Sequence, residues 1–305
     1  MIRRTLKEAY NKLISWRYSI GFAQYSDSAV MDPSFFPKIH WIKGVPRGRW
    51  FADPFILSMS ENEIEVLVED YSYKENKAHI SIIKVDRVSF KFKNSSTLLE
   101  LSSHLSFPAF FKQGRKLFIY PEQCRSGRLI VYEFDIDTHS LINQTVLLKQ
   151  PIADAIIADV YGRTVITGTL YPNDNSNVLY IYPFDYYSVD ESDSRPIEIV
   201  RFQDNTARNA GQYFYIGKQL FRPAQCTNTR YGECLVFQKI SRTDSGDTSF
   251  EEVKRIYSPS SRYNLSFHTF NIYERKLVVV DASGYRFRII GHCLESLRCL
   301  FLKRR

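Results

Sequence analysis

The stretch ADPFIL at 52–57 starts with a small residue and a carboxylate and runs into apolar residues. The same register returns as SFPAFF at 106–111, ADAIIA at 153–158, NAGQYF at 209–214 and SFHTFN at 266–271. Alignment puts Asp53, Phe107, Asp154, Ala210 and Phe267 at one position, at intervals of 54, 47, 56 and 57 residues. Repeats on that scale mean stacked or radially arranged units. Behind each copy comes a polar turn and a strand-like run: IEVLVED, KLFIYPE, TVITGT, QLFRPAQ and KLVVVDA. A third run follows: AHISIIKV, RLIVYEF, VLYIYPF, CLVFQKI and YRFRII. Four copies then add a fourth: TLLEL, TVLLK, IEIVR and VKRIY. β-branched and aromatic residues fill the runs and turn residues separate them.

The fifth copy has no fourth run of its own, but KIHWIK (38–43) stands immediately before the first copy. Five four-stranded units therefore predict an all-β, five-bladed β-propeller over 38–290, its last blade (264–290) closed by KIHWIK as outer strand. A β-sandwich with chance similarity is the competing reading; the fivefold register favours the propeller. Residues 1–37 read as an N-terminal helix and lead-in, with Ile2, Leu6, Tyr10, Leu13 and Ile14 at helical spacing. Residues 291–305 read as a C-terminal basic helix or tail, with Leu294, Leu297, Leu300 and Phe301 recurring.

The chain has 305 residues, 44% hydrophobic and 15% aromatic, a globular composition. Its net charge of +8 is concentrated at the ends. Residues 1–49 carry nine Lys/Arg against three Asp/Glu, and 286–305 carry six against one, so the body is slightly acidic. A nucleic-acid reader would carry its basic patch on the folded face, and none is expected as a partner. Basic ends suit peripheral contact with an anionic membrane surface; solubilising tails are the plainer reading. Five cysteines without a CxxC pair, a charged N-terminus without an apolar h-region and no 18-residue apolar run place the protein in the cytoplasm, at the inner face of the membrane if the ends make contact.

Inner strands line a propeller's axis, so polar residues of the repeated motif should converge there. This collects Asp53, His104, Asp154, Arg208 and His268, with Glu69, Glu122, Gln225 and Asp281 from second-strand ends and Arg222 and Tyr231 from the fourth blade. Carboxylates that accept from hydroxyls, beside aromatic faces that stack on sugar C–H surfaces, make a carbohydrate-like site. Each residue also has a plainer reading: a turn cap, a buried ion-pair partner, a packing histidine. HExxH, paired Cys/His spacings, GxGxxG, GxxxxGK[ST] and GxSxG do not occur, so no metal and no cofactor is expected.

The segments WFADPF, LVED, HLSFP, YPEQC, ARNAGQYF, FRPAQCTNTRYG and FHTFN…VVVDASG carry a family resemblance. Over about 38–290 the chain resembles the propeller domain of plant glucosamine inositolphosphorylceramide transferases and their bacterial stand-alone relatives, which are often linked to surface-polysaccharide assembly. More distantly it is similar to the five-bladed glycoside hydrolases of family 43. That similarity implies Asp53 as general base or nucleophile and Asp154 as the carboxylate that tunes and orients. The hydrolases' general acid is a Glu opening the fourth blade, where this chain has Thr206-Ala207-Arg208-Asn209-Ala210-Gly211. Glu122 or Glu69 would have to substitute. A phosphate leaving group needs no acid and favours an arginine fork, which fits Arg208 with Arg222 nearby. The expectation is a carbohydrate-active protein that transfers a sugar or related group in cytoplasmic assembly of a surface glycan. It would act on a sugar or glycan, with a phosphate-bearing donor, and Asp53, Asp154 and Glu122 would be catalytic. A glycoside hydrolase resembling family 43 and a non-catalytic glycan-binding or scaffold module stay open.

Overall fold

The computed structural model describes residues 10–185 and 194–302. Five four-stranded antiparallel sheets stand around an axis. Blade one runs outward from Arg49–Met59 through Glu63–Ser72 and Lys77–Asp86 to Phe92–Leu99. Blades two, three and four repeat the order from inner strands Ser106–Gln113, Ile152–Asp159 and Phe214–Ile216. The fold is the five-bladed propeller that the repeated register predicts.

Blade five corrects the sequence reading in one respect. Its inner strands are Ser266–Tyr273 and Leu277–Tyr285, but its third is Trp16–Gln24, and His40–Trp41 forms the outer edge. The N-terminal chain thus supplies two strands rather than one, and the blade draws on the chain from Trp16 rather than from 38. YRFRII is not a strand: Tyr285 ends one and Arg288–Leu302 is helical. Trp16–Gln24 pairs with Leu277–Tyr285 at all nine positions, from Trp16 opposite Tyr285 to Gln24 opposite Leu277. Ile20 and Phe22 are fully buried in this pairing. Of the N-terminal helix, Tyr10–Leu13 forms a turn, with Ile14 N–H donating to Tyr10 O; Ile2 and Leu6 lie outside the described residues.

The apolar core sits between blades, where facing sheets interdigitate. Phe55, Phe107, Tyr120 and Ile156 join blades one to three. Phe22, Phe51, Val66 and Val279 join five to one, and Phe221, Phe237, Phe267 and Phe270 join four to five. Each such side chain contributes on the order of 1.5–3 kcal/mol by leaving water. The axis is thus left as the place where polar residues of the repeated motif can meet.

The repeated motif has a backbone cause. Asp53, Phe107 and Asp154, aligned by sequence, all take positive φ (47°, 45° and 44°), and each lies at a register shift against the second strand. A bulge leaves an N–H outside the ladder. Each of these N–H groups donates instead to a carboxylate of the preceding blade: Asp53 to Asp281 Oδ2 (2.8 Å), Phe107 to Asp53 Oδ2 (3.1 Å) and Asp154 to Glu122 Oε2 (3.0 Å). The carboxylates thus satisfy the distorted backbone and crowd together at one end of the ring.

Candidate active site

One half of the cup lies between blades five and one. Asp53 is buried. Its Oδ1 accepts from Thr269 Oγ1 at 3.0 Å, and His268 Nε2 stands 3.9 Å away. His268 Nδ1 is 2.5 Å from Asp281 Oδ1, which also accepts the Thr269 N–H. Burial opposes the His268 imidazolium, but Asp281, Asp53 and Glu69 outweigh it and the ring's pKa rises. Burial pushes the Asp53 carboxyl up to about 8, opposed by His268 and helped by a hydrogen bond and like charge from Glu69. Asp53 and Glu69 thus form a neighbouring carboxyl pair on the inner and second strands of blade one. Glu69 meets His104 Nε2 at 3.0 Å, and His104 Nδ1 accepts the Ala78 N–H, which places the neutral ring's proton on Nε2.

The other half lies between blades two, three and four. Arg208 Nε is 2.5 Å and Gln225 Nε2 is 2.6 Å from Asp154 Oδ2. Arg208 also bonds Asp174 through Nη1 and Glu122 through Nη2, the latter at 3.2 Å. Burial pushes Asp154 up; Arg208 opposes this, but Glu122 and Asp53 add like charge and leave it well above its ordinary value. Burial also acts on Glu122, yet Arg208 and the Asp154 N–H hold it below the usual carboxylate range. A second pair results, with the proton on Asp154 and the charge on Glu122. Both pairs join a bulged inner-strand Asp to a Glu from a second strand.

Two tyrosines cover the cluster. Tyr18 stacks on His268 with centroids 5.1 Å apart, and Tyr231 meets His268 edge-on at 5.3 Å while Arg208 lies 5.1 Å over its ring. Gly232 fixes the Tyr231 loop: it takes φ +58°, and a Cβ there would sit 2.7 Å from His268. The accessible groups include His104, whose side chain is 40% exposed, Glu122 and Asp174, each 16% exposed, and the half-buried Tyr18 and Tyr231. Asp53, His268 and Asp281 could each offer a ligand atom within 4.8 Å of the others, so among the described residues this is the group able to hold a cation; internal hydrogen bonds already engage all three.

Asp53, Glu69, His104, Glu122, Asp154, Arg208, Gln225, Tyr231, His268 and Asp281 therefore gather at one end of the axis. Arg222 does not. It is fully buried on the far side of its strand, donating to Asn209 Oδ1, Thr206 O, Ala207 O and Gln238 Oε1 between the Phe202 and Phe250 rings. It braces the 206–209 loop that carries Arg208. The free arginine fork expected of Arg208 is also corrected, since Nε and both Nη atoms already bond carboxyl groups. Asp174, Thr269 and Tyr18 are site residues that sequence reasoning missed.

No curated protein matches the sequence. Among solved structures, a β-xylosidase superposes with a TM-score of 0.53 at 10% identity, covering 77% of this chain and 92% of its own. A GH43 β-1,3-galactosidase solved with galactodeoxynojirimycin gives 0.51 at 9% identity, covering 72% and 81%. A GH43_1 enzyme from Xanthomonas citri complexed with xylose gives 0.51 at 10%, covering 76% and 87%. At these identities the likeness is one of fold. The sequence itself matches the family described as glucosamine inositolphosphorylceramide transferase 1, N-terminal, over residues 33–266. That span includes Asp53, both Glu partners, Asp154, Arg208 and the Tyr231 loop, and the chain belongs to this family.

Proposed function

We propose that the cup binds a sugar or glycan and takes part in transferring a sugar whose leaving group departs as an anion. The observation that carries this reading is the state of Glu122. Its side chain is 16% exposed, and Arg208 and the Asp154 N–H hold it below the usual carboxylate range. An ionised carboxylate cannot protonate a sugar alkoxide, which hydrolysis of an alkyl glycoside requires. A phosphate or nucleotide leaving group needs no proton. Asp53, whose carboxyl burial raises to about 8, becomes able to take the proton of an attacking hydroxyl as the pH rises toward that value and it loses its own. Arg208 serves this reading by fixing Glu122, Asp154 and Asp174; contact with a phosphate-bearing donor falls to the exposed His104 and to Tyr231.

The test is turnover of purified protein on a nucleotide-sugar panel with glycan acceptors and on a nitrophenyl glycoside panel. Transfer from an activated donor, abolished by Asp53→Asn, is the expected result. Cleavage of glycosides without transfer would replace this reading by the family-43-like hydrolase. Glycan binding by calorimetry with silence on both panels would leave a binding module.

A further inference from the structure

Over its described side chains, 288–296, the helix Arg288–Leu302 is amphipathic in the wrong sense for a surface helix of a globular protein. Such a helix buries its apolar stripe and shows its polar face to water. Here the contacts to the propeller come from Gly291, His292 and Glu295. Gly291 is buried so closely that a Cβ would meet Tyr285 Cγ at 2.3 Å; His292 sets its ring edge-on to Tyr285 at 5.0 Å; Glu295 hydrogen-bonds the Tyr285 hydroxyl. At about 100° per residue these three fall on one face. Ile289 and Ile290, 80% and 45% exposed, and the exposed Cys293 fall on the opposite one, and Phe287 just before the helix is 38% exposed. Over 288–296, Ile289, Ile290 and Cys293 are thus turned outward and Gly291, His292 and Glu295 inward, with Leu294 half-buried between them.

Charge selects what covers that face. Arg286 and the exposed Arg288 stand at the start of the helix, and the sequence continues with Arg298, Lys303, Arg304 and Arg305. The one acid of this segment, Glu295, is turned to Tyr285. The basic N-terminal chain arrives at the same edge: the Arg286 N–H donates to Ser15 O at 2.9 Å, and Asn11, Lys12 and Arg286 line one cleft. Lys12 and Arg286, far apart in sequence, thus line one cleft next to the exposed Phe287, Ile289 and Ile290. No described helix is long and apolar enough to cross a membrane. We infer that this helix lies in the headgroup region of an anionic bilayer and seats the mouth of the cup against it. Apolar burial and attraction to anionic lipid would act together, each weak alone. Orientation follows from the strand: Tyr285 is four residues beyond Asp281, about 13 Å along the same strand, at the end where the carboxyl pairs gather.

Sedimentation of the full chain with anionic (phosphatidylglycerol-containing) and neutral phosphatidylcholine vesicles tests this without reference to turnover. The wild type should bind the anionic vesicles, less so at high salt and on neutral lipid. Ile289→Glu with Ile290→Glu should lower binding by about tenfold or more. Both side chains are solvent-exposed, so an unchanged melting temperature should confirm an intact fold. A wild type that stays in the supernatant at low salt overturns the inference, as does a double variant that binds like the wild type. So does a homodimer in light scattering that the double variant dissolves while vesicles are ignored, because the face then belongs to a second copy. Binding that appears only after deletion of residues 1–9 also overturns it, because the chain's own N-terminus then covers the stripe.

Discussion

Asp154 and Glu122 come from neighbouring blades and meet through the Asp154 N–H, which donates to Glu122 Oε2 at 3.0 Å. The contact exists because Asp154 sits on a bulge with positive φ and its N–H has left the ladder. Backbone distortion and acid clustering therefore share one cause. Asp53 repeats the device, receiving the Phe107 N–H and donating its own to Asp281.

Arg208 sets its guanidinium against Asp154, Glu122 and Asp174. Arg208→Met should destabilise the fold by about 3–5 kcal/mol, since buried carboxylates lose their counter-charge. The loss should shrink as pH falls. Without Arg208 the folded-state pKa values rise above the unfolded ones, so the folded state binds more protons on acidification and gains stability. Thermal melts at pH 5 and pH 8 should show the variant closer to wild type at pH 5; an equal deficit at both would refute the account.

Asp53 bears on stability in the opposite way. Its folded pKa of about 8 lies above its unfolded value. Wild-type stability should therefore be eroded as pH rises from about 4 to about 8, by up to roughly 1.4 kcal/mol per unit, and level off above. His268, also raised, adds a loss of the same sign as pH climbs through its own titration. Asp53→Asn removes the carboxyl share and keeps an oxygen for the Phe107 N–H. It should melt higher than wild type at pH 8, with the gap closing toward pH 4. Parallel curves across that range would show that Asp53 does not keep its proton.

Blade five depends on a strand more than 250 positions away in sequence from its partner. Phe22 is fully buried against the blade-one core. Phe22→Ala should cost about 3–5 kcal/mol in urea unfolding, in one cooperative transition. A loss under about 1 kcal/mol would mean that the N-terminal strand is dispensable.

The blades were legible because five copies share a register that chance would not repeat, and the axis followed because inner strands must line it. Trp16–Gln24 was not: it follows a helical pattern, and its pairing is set by a partner at the other end of the chain. YRFRII has strand composition, yet Gly291 packing on Tyr285 carries the chain into a helix just beyond it. Arg222 and Gln225 stand three apart on one strand, so strand alternation puts them on opposite faces; that parity was available, and only Gln225 could share the cup with Asp154. Asp174 lies in the turn-rich PNDNSN segment, where no periodicity gives a direction.

Glu122 separates the two chemistries. As an ionised acceptor held by Arg208 and the Asp154 N–H, it positions its neighbours and gives up no proton. Glu122→Gln keeps the shape and one carbonyl oxygen while removing the charge. Transfer from a nucleotide-sugar should then survive with a loss of about tenfold or less, the cost of one weakened charge-assisted hydrogen bond. Asp154 should at the same time titrate lower, because a like charge has been removed beside it. That shift is readable by carboxyl NMR and a merely structural role would not produce it. A hydrolase requires another pattern. Glu122→Gln would abolish cleavage of alkyl glycosides and spare aryl glycosides, whose leaving groups need no acid. Kinetics of the one variant on both substrate classes decides between them: selective loss on alkyl glycosides makes Glu122 the acid and ends the transfer reading, and retained transfer with a lowered Asp154 pKa leaves Asp53 as the group that moves the proton.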